Sequence, residues 1–435
     1  MTSENQLKDL INNSPMTTYQ VLIVAICFIL NFNDGIDVLV VSFTGSEIVK
    51  EWMLSKSQLG YIFSAGLGGM TIGCLFLAPF GDKIGRKSLF LISLTLITSG
   101  MLLVYFSQTY WQMLIFRVIT GLGIGGILPN LAAVASEFSN KKHRDFNVGI
   151  VQAGWPLGAI LTGFFTAWAV PEFGWRIPYL VAGLVSLFML IAVYFFMPES
   201  LAFLVKNQPK NALNKINEVL EKMGKESIIY LPEKPKFIVL PSIKDLFVFE
   251  LKTSTIYLWT AIFFGFITLY TLMSWVPNIA KDSGMPFELA TYVGMALNLG
   301  AFSGVFVMGI CISRFGIKKT FVSFMVLAFT VMMIFGNFTL THLAMFVLTF
   351  FIGFFVQGGF NTFFPTATRI YPENIRTTGV GLAMGMGRFG AILGPALFGI
   401  LTDAGFSIAA RFTIFSIPLL IAAFLAFRIP SKNVN

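Results

Sequence analysis

The sequence predicts an all-α membrane protein with twelve transmembrane helices in two pseudo-symmetric six-helix bundles. Three observations lead to this fold class. Of the 435 residues, 56% are hydrophobic and only 12% are charged, well below the roughly 25% charged residues of a soluble domain. Twelve apolar stretches are each long enough to cross a bilayer as a helix. Motifs of the first half of the chain also return in the second half.

The apolar stretches form two groups of six around one long polar stretch, 198–252, which contains the lysine-rich NALNKINEVLEKMGK, predicted as a short helix. The spans are placed near 18–44, 57–80, 88–107, 110–135, 147–170, 176–197, 253–280, 287–311, 319–340, 342–368, 377–403 and 406–428. The predicted organisation is an N-terminus (1–17), an N-terminal bundle (18–197), a linker (198–252), a C-terminal bundle (253–428) and a C-terminus (429–435). The polar N-terminus has no charged-then-apolar signal pattern, so the first span is expected to be retained.

Lysine and arginine predict the orientation of the spans. Of 30 such residues, 23 fall in the termini, the linker and the loops on the same side, 5 fall on the other side and 2 lie inside spans. Cytoplasmic loops carry the excess of these residues. Both termini and the linker are therefore predicted to be cytoplasmic, and the net charge of +9 requires no nucleic acid partner.

Two pairs of motifs indicate an internal repeat. GDKIGRK (81–87) after the second span corresponds to ISRFGIKK (312–319) after the eighth. GGILPNLAAVASEF (125–138) corresponds to FNTFFPTATRIYPE (360–373), with Glu137 and Glu373 separated by 236 positions. Two related halves are typical of a transporter whose substrate site lies between them near the membrane midplane.

Asp34 and Asp37 are acidic residues inside the first predicted span. A charge at the bilayer centre costs ~3 kcal/mol on insertion scales, so such residues tend to face a cavity and mark an ion or substrate pathway. The two residues share one helix face. Neighbouring carboxylates disfavour each other's ionisation, which a reversible proton carrier requires. The alternative is a structural polar pair satisfied by facing helices.

Arg117 and Arg388 are the basic residues inside spans. At ~1.5 Å per residue, Arg117 and Asp37 lie at similar depths, which predicts an ion pair that is either permanent or switched by a proton or an anion. Arg388 is surrounded by glycines and has no acidic partner in the interior of the second half. Its planar guanidinium suits bidentate binding of a carboxylate, so it is the predicted anion site.

Catalytic and metal-binding signatures are lacking. The sequence has no nucleophile elbow, phosphate-binding loop or HExxH motif, and its 3 cysteines and 2 histidines have no metal-ligand spacing. GLGIGG (121–126) lies in a membrane helix and is expected to serve helix packing. The charged rings or selectivity filter of a channel are lacking as well. These absences argue against an enzyme and a channel.

GCLFLAPFGDKIGRK (73–87) carries the loop signature of the major facilitator superfamily, and the resemblance covers the whole chain. FNDGID (32–37), FRVITGLGIGG (116–126), MPESLAFLV (197–205) and GRFGAILGP (387–395) resemble the aromatic acid:proton symporters, whose first helix carries a D-G-x-D motif. This resemblance implies the major facilitator fold and proton-coupled transport of an aromatic acid.

Further site residues are predicted around the two arginines and on the cytoplasmic loops. An aromatic slot with a few amides would hold a planar acid, and the candidates are Trp155, Tyr270, Trp275, Asn298 and Asn361. A cytoplasmic gate is predicted from Asp82, Arg86, Glu137 and Arg144, with Glu137 paired with Arg144 or with a loop lysine.

The expected function is secondary active uptake of a small organic carboxylate, such as a hydroxybenzoate, by alternating access. The proton gradient would supply the energy, so no cofactor is expected, and the partners would be the acid, protons and the lipid bilayer. The protein is expected to work as a monomer in a bacterial inner membrane. The alternatives left open are a carrier of nicotinate, muconate or an aliphatic acid, an uncoupled facilitator, and a non-transporting membrane sensor.

Overall fold

The computed structural model describes residues 10–231, 243–372 and 375–430. Within them, twelve helices are long and apolar enough to cross a membrane, as predicted. In chain order the helices are α1 (Thr18–Trp52), α2 (Lys56–Ile84), α3 (Arg86–Tyr105), α4 (Tyr110–Glu137), α5 (Arg144–Phe173), α6 (Ile177–Phe196), the linker helices α7 (Leu201–Asn207) and α8 (Ala212–Lys222), then α9 (Leu251–Asp282), α10 (Phe287–Phe315), α11 (Ile317–Asn337), α12 (His342–Ile370), α13 (Thr378–Asp403) and α14 (Ile408–Arg428). Parts of the predicted termini and linker, and Glu373, lie outside the described residues.

The linker helix α8 confirms the helix predicted in the lysine-rich segment. Its apolar residues Ile216, Val219 and Leu220 are buried, whereas its lysines and glutamates lie on the opposite side of the helix. Just beyond it, the Lys225 ammonium donates hydrogen bonds to the Ser14 hydroxyl and to the main chain of the N-terminal segment. The linker and the N-terminal segment therefore lie together at one end of the bundles. We call this end the linker face and the opposite end the far face.

Glycines allow the helices to approach to backbone distance. A Cβ on Gly121 of α4 would lie 2.0 Å from the Gly66 carbonyl oxygen of α2, and a Cβ on Gly125 would lie 2.1 Å from that of Met70. In the C-terminal half, a Cβ on Gly353 of α12 would lie 2.0 Å from a carbonyl oxygen of α10. Small residues permit such close packing of membrane helices, so the packing role expected for GLGIGG is confirmed.

The repeat seen in the sequence has a backbone counterpart. Gly85 joins α2 to α3 with φ = +99°, and Gly316 joins α10 to α11 with φ = +82°. Both residues occupy the left-handed region that side chains with a Cβ rarely adopt. The shared glycine therefore reflects the same sharp turn between consecutive spans in the two halves.

The two halves meet along α2 and α13, and within the described residues this seam is closed toward the far face. There, a Cβ on Gly60 would lie 2.6 Å from the Pro395 carbonyl oxygen, and one on Gly399 would lie 2.4 Å from the Lys56 carbonyl oxygen. Toward the linker face, a Cβ on Gly385 would meet only Leu75, at 3.9 Å, and one on Gly381 would meet nothing within 4 Å. The helices therefore diverge, and the cleft between the halves opens toward the linker face.

Candidate functional site

Four side chains from four helices lie within electrostatic reach of one another near the middle of the spans. Asp34 lies on α1 and Cys74 on α2 of the N-terminal half, while Tyr270 lies on α9 and Arg388 on α13 of the C-terminal half. The charge of Arg388 acts on Asp34, Cys74 and Tyr270, and the charge of Asp34 acts on Cys74 and Tyr270. The structure therefore brings the predicted anion site close to one of the two predicted proton carriers.

Asp34 and Arg388 face each other across the cleft without direct contact. Asp34 is 6% exposed, and both of its carboxylate oxygens lack a hydrogen-bond partner. Among the described residues, the guanidinium of Arg388 makes neither a hydrogen bond nor an ion pair. Buried polar groups are nearly always satisfied, so the unpartnered Asp34 carboxylate, with the half-buried guanidinium of Arg388 opposite it, indicates a site for a polar ligand.

Asp37 lies deeper in the N-terminal bundle than Asp34 and does have a partner. It is fully buried, and one carboxylate oxygen accepts a hydrogen bond from the Asn33 amide at 3.3 Å. The same amide donates to the Ser186 hydroxyl of α6 at 2.9 Å, which ties α1 to α6. The two aspartates thus occupy different environments: Asp34 faces the cleft, and Asp37 faces the interior of its own bundle.

Arg117 contacts the residue that the sequence predicted, but through a different atom. Its guanidinium donates a 3.1 Å hydrogen bond to the main-chain carbonyl of Asp37, and no ion pair with the carboxylate forms. A permanent ion pair is therefore wrong, because α1 presents its backbone to α4 at this depth, and a pair that forms only in another protonation state stays a prediction. Arg117 is 4% exposed and its Nε lacks a partner. The Asp37 carboxylate is left without a direct cationic contact.

The predicted aromatic and amide residues separate into three groups. Tyr270 stacks on Phe266 with ring centroids 5.5 Å apart and borders the cleft. Trp275 lies instead in the closed far-face seam, where it is 1% exposed and its indole N–H donates to the Pro395 carbonyl at 3.0 Å.

The remaining three residues of that set have local partners. Trp155 is half-buried on α5, and its carbonyl oxygen packs against Gly35 of α1. Asn298 on α10 and Asn361 on α12 each donate a 2.9 Å hydrogen bond to the carbonyl four residues earlier in the helix. The Oδ1 of Asn298 lacks a partner.

The predicted gate residues form networks at the linker face of the N-terminal half. Glu137 pairs with Arg86, and its other oxygen accepts a 2.7 Å hydrogen bond from the Ser200 hydroxyl. The predicted pairing of Glu137 with Arg144 or a loop lysine is wrong, because Arg144 points back to the Ser136 carbonyl at 3.2 Å. The sequence predicted both arginines in the cytoplasmic gate with Glu137 but did not give the helix packing that chooses between them.

Asp82 belongs to a separate, exposed contact with the linker. Its carboxylate lies 3.4 Å from the Lys206 ammonium, and its main-chain carbonyl accepts a 2.7 Å hydrogen bond from Asn207. Both charged side chains are more than half exposed. The described gate residues therefore tie the N-terminal bundle to itself and to the linker.

Glu199 is a member of this network that sequence reasoning missed. One oxygen accepts hydrogen bonds from the backbone N–H groups of Arg86 at 2.7 Å, Lys87 at 3.2 Å and Ser200 at 2.9 Å. The carboxylate sits against Gly85, where a Cβ would lie 2.1 Å from it. The only signal in the sequence was the MPES segment, whose acidic residue was not assigned a role.

Charged contacts that join the two halves lie on the far face and were also missed. The Asp403 carboxylate at the end of α13 accepts hydrogen bonds from the first two backbone N–H groups of α2, those of Lys56 at 2.9 Å and Ser57 at 2.7 Å. The Lys56 ammonium in turn pairs with Asp282 of α9 at 2.7 Å. Asp403 thus caps a helix of the other half, and we call the contacts of Asp403 and Asp282 with α2 the far-face latch.

Two helical bundles that close on one face and part on the other, around buried charges of opposite sign, define a polytopic membrane transporter. The family model of the Major Facilitator Superfamily matches residues 24–319 and 258–434. The chain belongs to this superfamily, and it is not an enzyme.

Comparison with individual proteins narrows the likeness. The chain is 31% identical over 429 residues to the 4-hydroxybenzoate transporter PcaK of Acinetobacter baylyi, covering 96% of this chain and 93% of the relative. It is 29% identical to the gallate transporter of Pseudomonas putida, covering 96% and 93%. Among solved structures it is similar to the D-xylose-proton symporter, with a TM-score of 0.76 at 16% identity over 95% of this chain and 99% of that one. This last likeness concerns the fold alone.

Proposed function

We propose that the protein imports an aromatic carboxylate together with protons by alternating access, with a hydroxybenzoate as the representative substrate. The observation that carries the proposal is the pair of unsatisfied charges, Arg388 and Asp34, on facing walls of the cleft. The named relatives, which transport 4-hydroxybenzoate and gallate, support the choice of substrate class.

Arg388 is assigned to the substrate carboxylate. Its planar guanidinium offers two parallel N–H donors that match a carboxylate. The ring of the acid would lie toward Tyr270, since an aromatic wall binds a planar ring.

Asp34 and Asp37 are assigned to the proton. An anion that enters beside an ionised Asp34 is repelled, so protonation of Asp34 favours substrate binding. Asp37 lies one turn deeper, where Arg117 donates a hydrogen bond to its main-chain carbonyl and Asn33 donates one to its carboxylate. The gradient of protons then supplies the energy without a cofactor. The count of lysines and arginines supports an orientation with the linker face in the cytoplasm, and one chain contains the whole site, so a monomer suffices.

Arg388→Lys tests the assignment of the anion site. Lysine keeps the charge but loses the planar fork, and hydrogen bonds to charged groups contribute about 1–3 kcal/mol. Calorimetry with 4-hydroxybenzoate should show affinity weakened by about 5-fold to 150-fold, and Arg388→Ala should be worse. The exposed Arg314→Lys, in the same half, is the matched control and should bind as wild type. Unchanged affinity in both Arg388 variants would make Arg117 the better candidate.

A panel of ligands separates the alternative functions. 4-Hydroxybenzoate, gallate, nicotinate, muconate and acetate should be compared by thermal shift, with 4-hydroxybenzamide as the uncharged control. Uptake of the best ligand into vesicles should collapse when a protonophore is added. Uptake that persists would indicate an uncoupled facilitator, and binding without uptake would indicate a sensor.

A further inference from the structure

Helix α2 departs from regular α-helix where it borders the cleft. Residues Gly73–Leu77 form a π-helical turn, in which the backbone N–H of Ala78 donates to the Gly73 carbonyl five residues earlier. A short 3₁₀ turn, Ala78–Phe80, follows directly. Such π-turns are rare and occur frequently at functional sites.

The π-turn is held in place by packing against α4. A Cβ on Gly73 would lie 2.2 Å from the Leu122 carbonyl oxygen and 3.0 Å from the Cα of Gly125. Leu77 packs on the same helix, where a Cβ on Gly126 would lie 2.9 Å from its Cδ2. Leu75 points instead toward the other half, as the nearest neighbour of a Cβ placed on Gly385 of α13.

Cys74 lies inside this turn, within electrostatic reach of the two unsatisfied charges. It is half-buried, and the charges of both Arg388 and Asp34 act on it. Gly385, which faces the adjacent Leu75, precedes Arg388 by one helical turn. Asp34, with both oxygens unpartnered at 6% exposure, indicates independently that a ligand belongs here.

We propose that Cys74 contacts the transported acid, with its thiol forming the α2 wall of the site opposite Tyr270 and Arg388. The proposal rests on the function proposed above and extends it to a residue that determines specificity. A thiol behaves as a small, polarisable hydrophobic group, so position 74 sets the width available to the ring. The other two cysteines do not meet these conditions: Cys27 is fully buried on α1, and Cys311 lies near the linker-face end of α10.

Thiol labelling tests the contact, since a chain with only three cysteines is easily reduced to one. In Cys27→Ser/Cys311→Ser protein, N-ethylmaleimide adds to the Cys74 thiol across its double bond, without a leaving group. Saturating 4-hydroxybenzoate should slow this labelling by at least about fivefold, with half-protection at the Kd from calorimetry. The matched control keeps Cys311 alone, and its labelling should not change. Binding of the acid without protection of Cys74 would overturn the proposal.

A second labelling site separates contact from closure of the cleft. Phe76 lies in the same turn and is 66% exposed, so Phe76→Cys in a chain lacking the native cysteines should label equally with and without the acid. Equal protection at positions 74 and 76 would show closure of the mouth and would overturn direct contact. If none of the aromatic acids binds in calorimetry, the proposed function itself is wrong, independently of the labelling result.

Substitution at position 74 provides a readout of specificity. Cys74→Ala should bind benzoate within about threefold of wild type. Cys74→Leu should reduce affinity for the trihydroxylated ring of gallate at least about tenfold more than for benzoate, because added bulk narrows the slot. An equal loss for both ligands would indicate general damage to the helix and contradict a role in specificity.

Discussion

Asp403 caps the N-terminus of α2 from the other half of the protein, so its removal should change the balance between conformations. In Asp403→Ala, the backbone N–H groups of Lys56 and Ser57 lose a carboxylate that accepts at 2.9 Å and 2.7 Å. Loss of a capping side chain costs about 1 kcal/mol. Because the site is exposed, the negative charge of the Asp403 carboxylate adds little to this free energy. The ratio of far-face-open to far-face-closed molecules should rise about fivefold.

Electron paramagnetic resonance distances measure this ratio. Spin labels at Lys50 on α1 and Ser283 beyond α9 lie on exposed far-face positions of the two halves, so the long-distance fraction reports opening. Glu51→Gln is the matched control, because Glu51 pairs on the same face with Arg176 at 2.7 Å but within one half. The reasoning is refuted if Asp403→Ala leaves the distances unchanged, or if Glu51→Gln shifts them as far.

Three further predictions concern the bundle interior and the linker. Asp37→Asn should abolish concentrative uptake into energised vesicles while exchange at equilibrium persists, and normal accumulation would exclude a coupling role. Asp82→Asn should change the melting temperature little, because both side chains of its pair with Lys206 are exposed. It should nevertheless slow transport. Unchanged turnover would mean that the loop serves only to fix the orientation of the spans. Gly35→Ala should destabilise the protein by about 1–3 kcal/mol, since its Cβ would lie 2.2 Å from a carbonyl oxygen of α5. In the same denaturation assay Gly68→Ala, where a Cβ meets nothing within 4 Å, should be neutral or nearly so.

The fold was predictable because each span is a long apolar run and little else in the chain resembles one. The repeat was predictable for a similar reason: Gly85 and Gly316 stand at equivalent turns that need positive φ. The predicted positions of the helix ends were less accurate. The first span was expected to end near residue 44, but α1 continues to Trp52, since Gly45 and Ile48 pack into the bundle and extend its buried face.

The site was predictable in its charged residues and not in their pairing. Hydropathy identifies a charge inside a span without giving the rotation of the helix that carries it. The predicted pair Asp37 and Arg117 therefore proved to be a contact with a main-chain carbonyl, and the unpredicted proximity is that of Asp34 to Arg388. Cys74 carried no signal, because a π-turn depends on how Gly73 packs against another helix.

Helices α2 and α13 connect the far-face latch to the proposed substrate site. Asp403 and Arg388 lie 15 residues apart on α13, about 22 Å at 1.5 Å per residue, so one rigid helix carries both. A ligand shifts a conformational equilibrium only by its differential affinity for the two states. An acid held by Arg388 that also contacts α2 at Cys74 bridges the two helices on the linker side of the far-face seam. The hydrogen bonds of the acid contribute about 1–3 kcal/mol to its binding, whereas the Asp403 cap stabilises the far-face-closed state by about 1 kcal/mol. A preference of the acid for the far-face-open state of about 1 kcal/mol would therefore offset the cap.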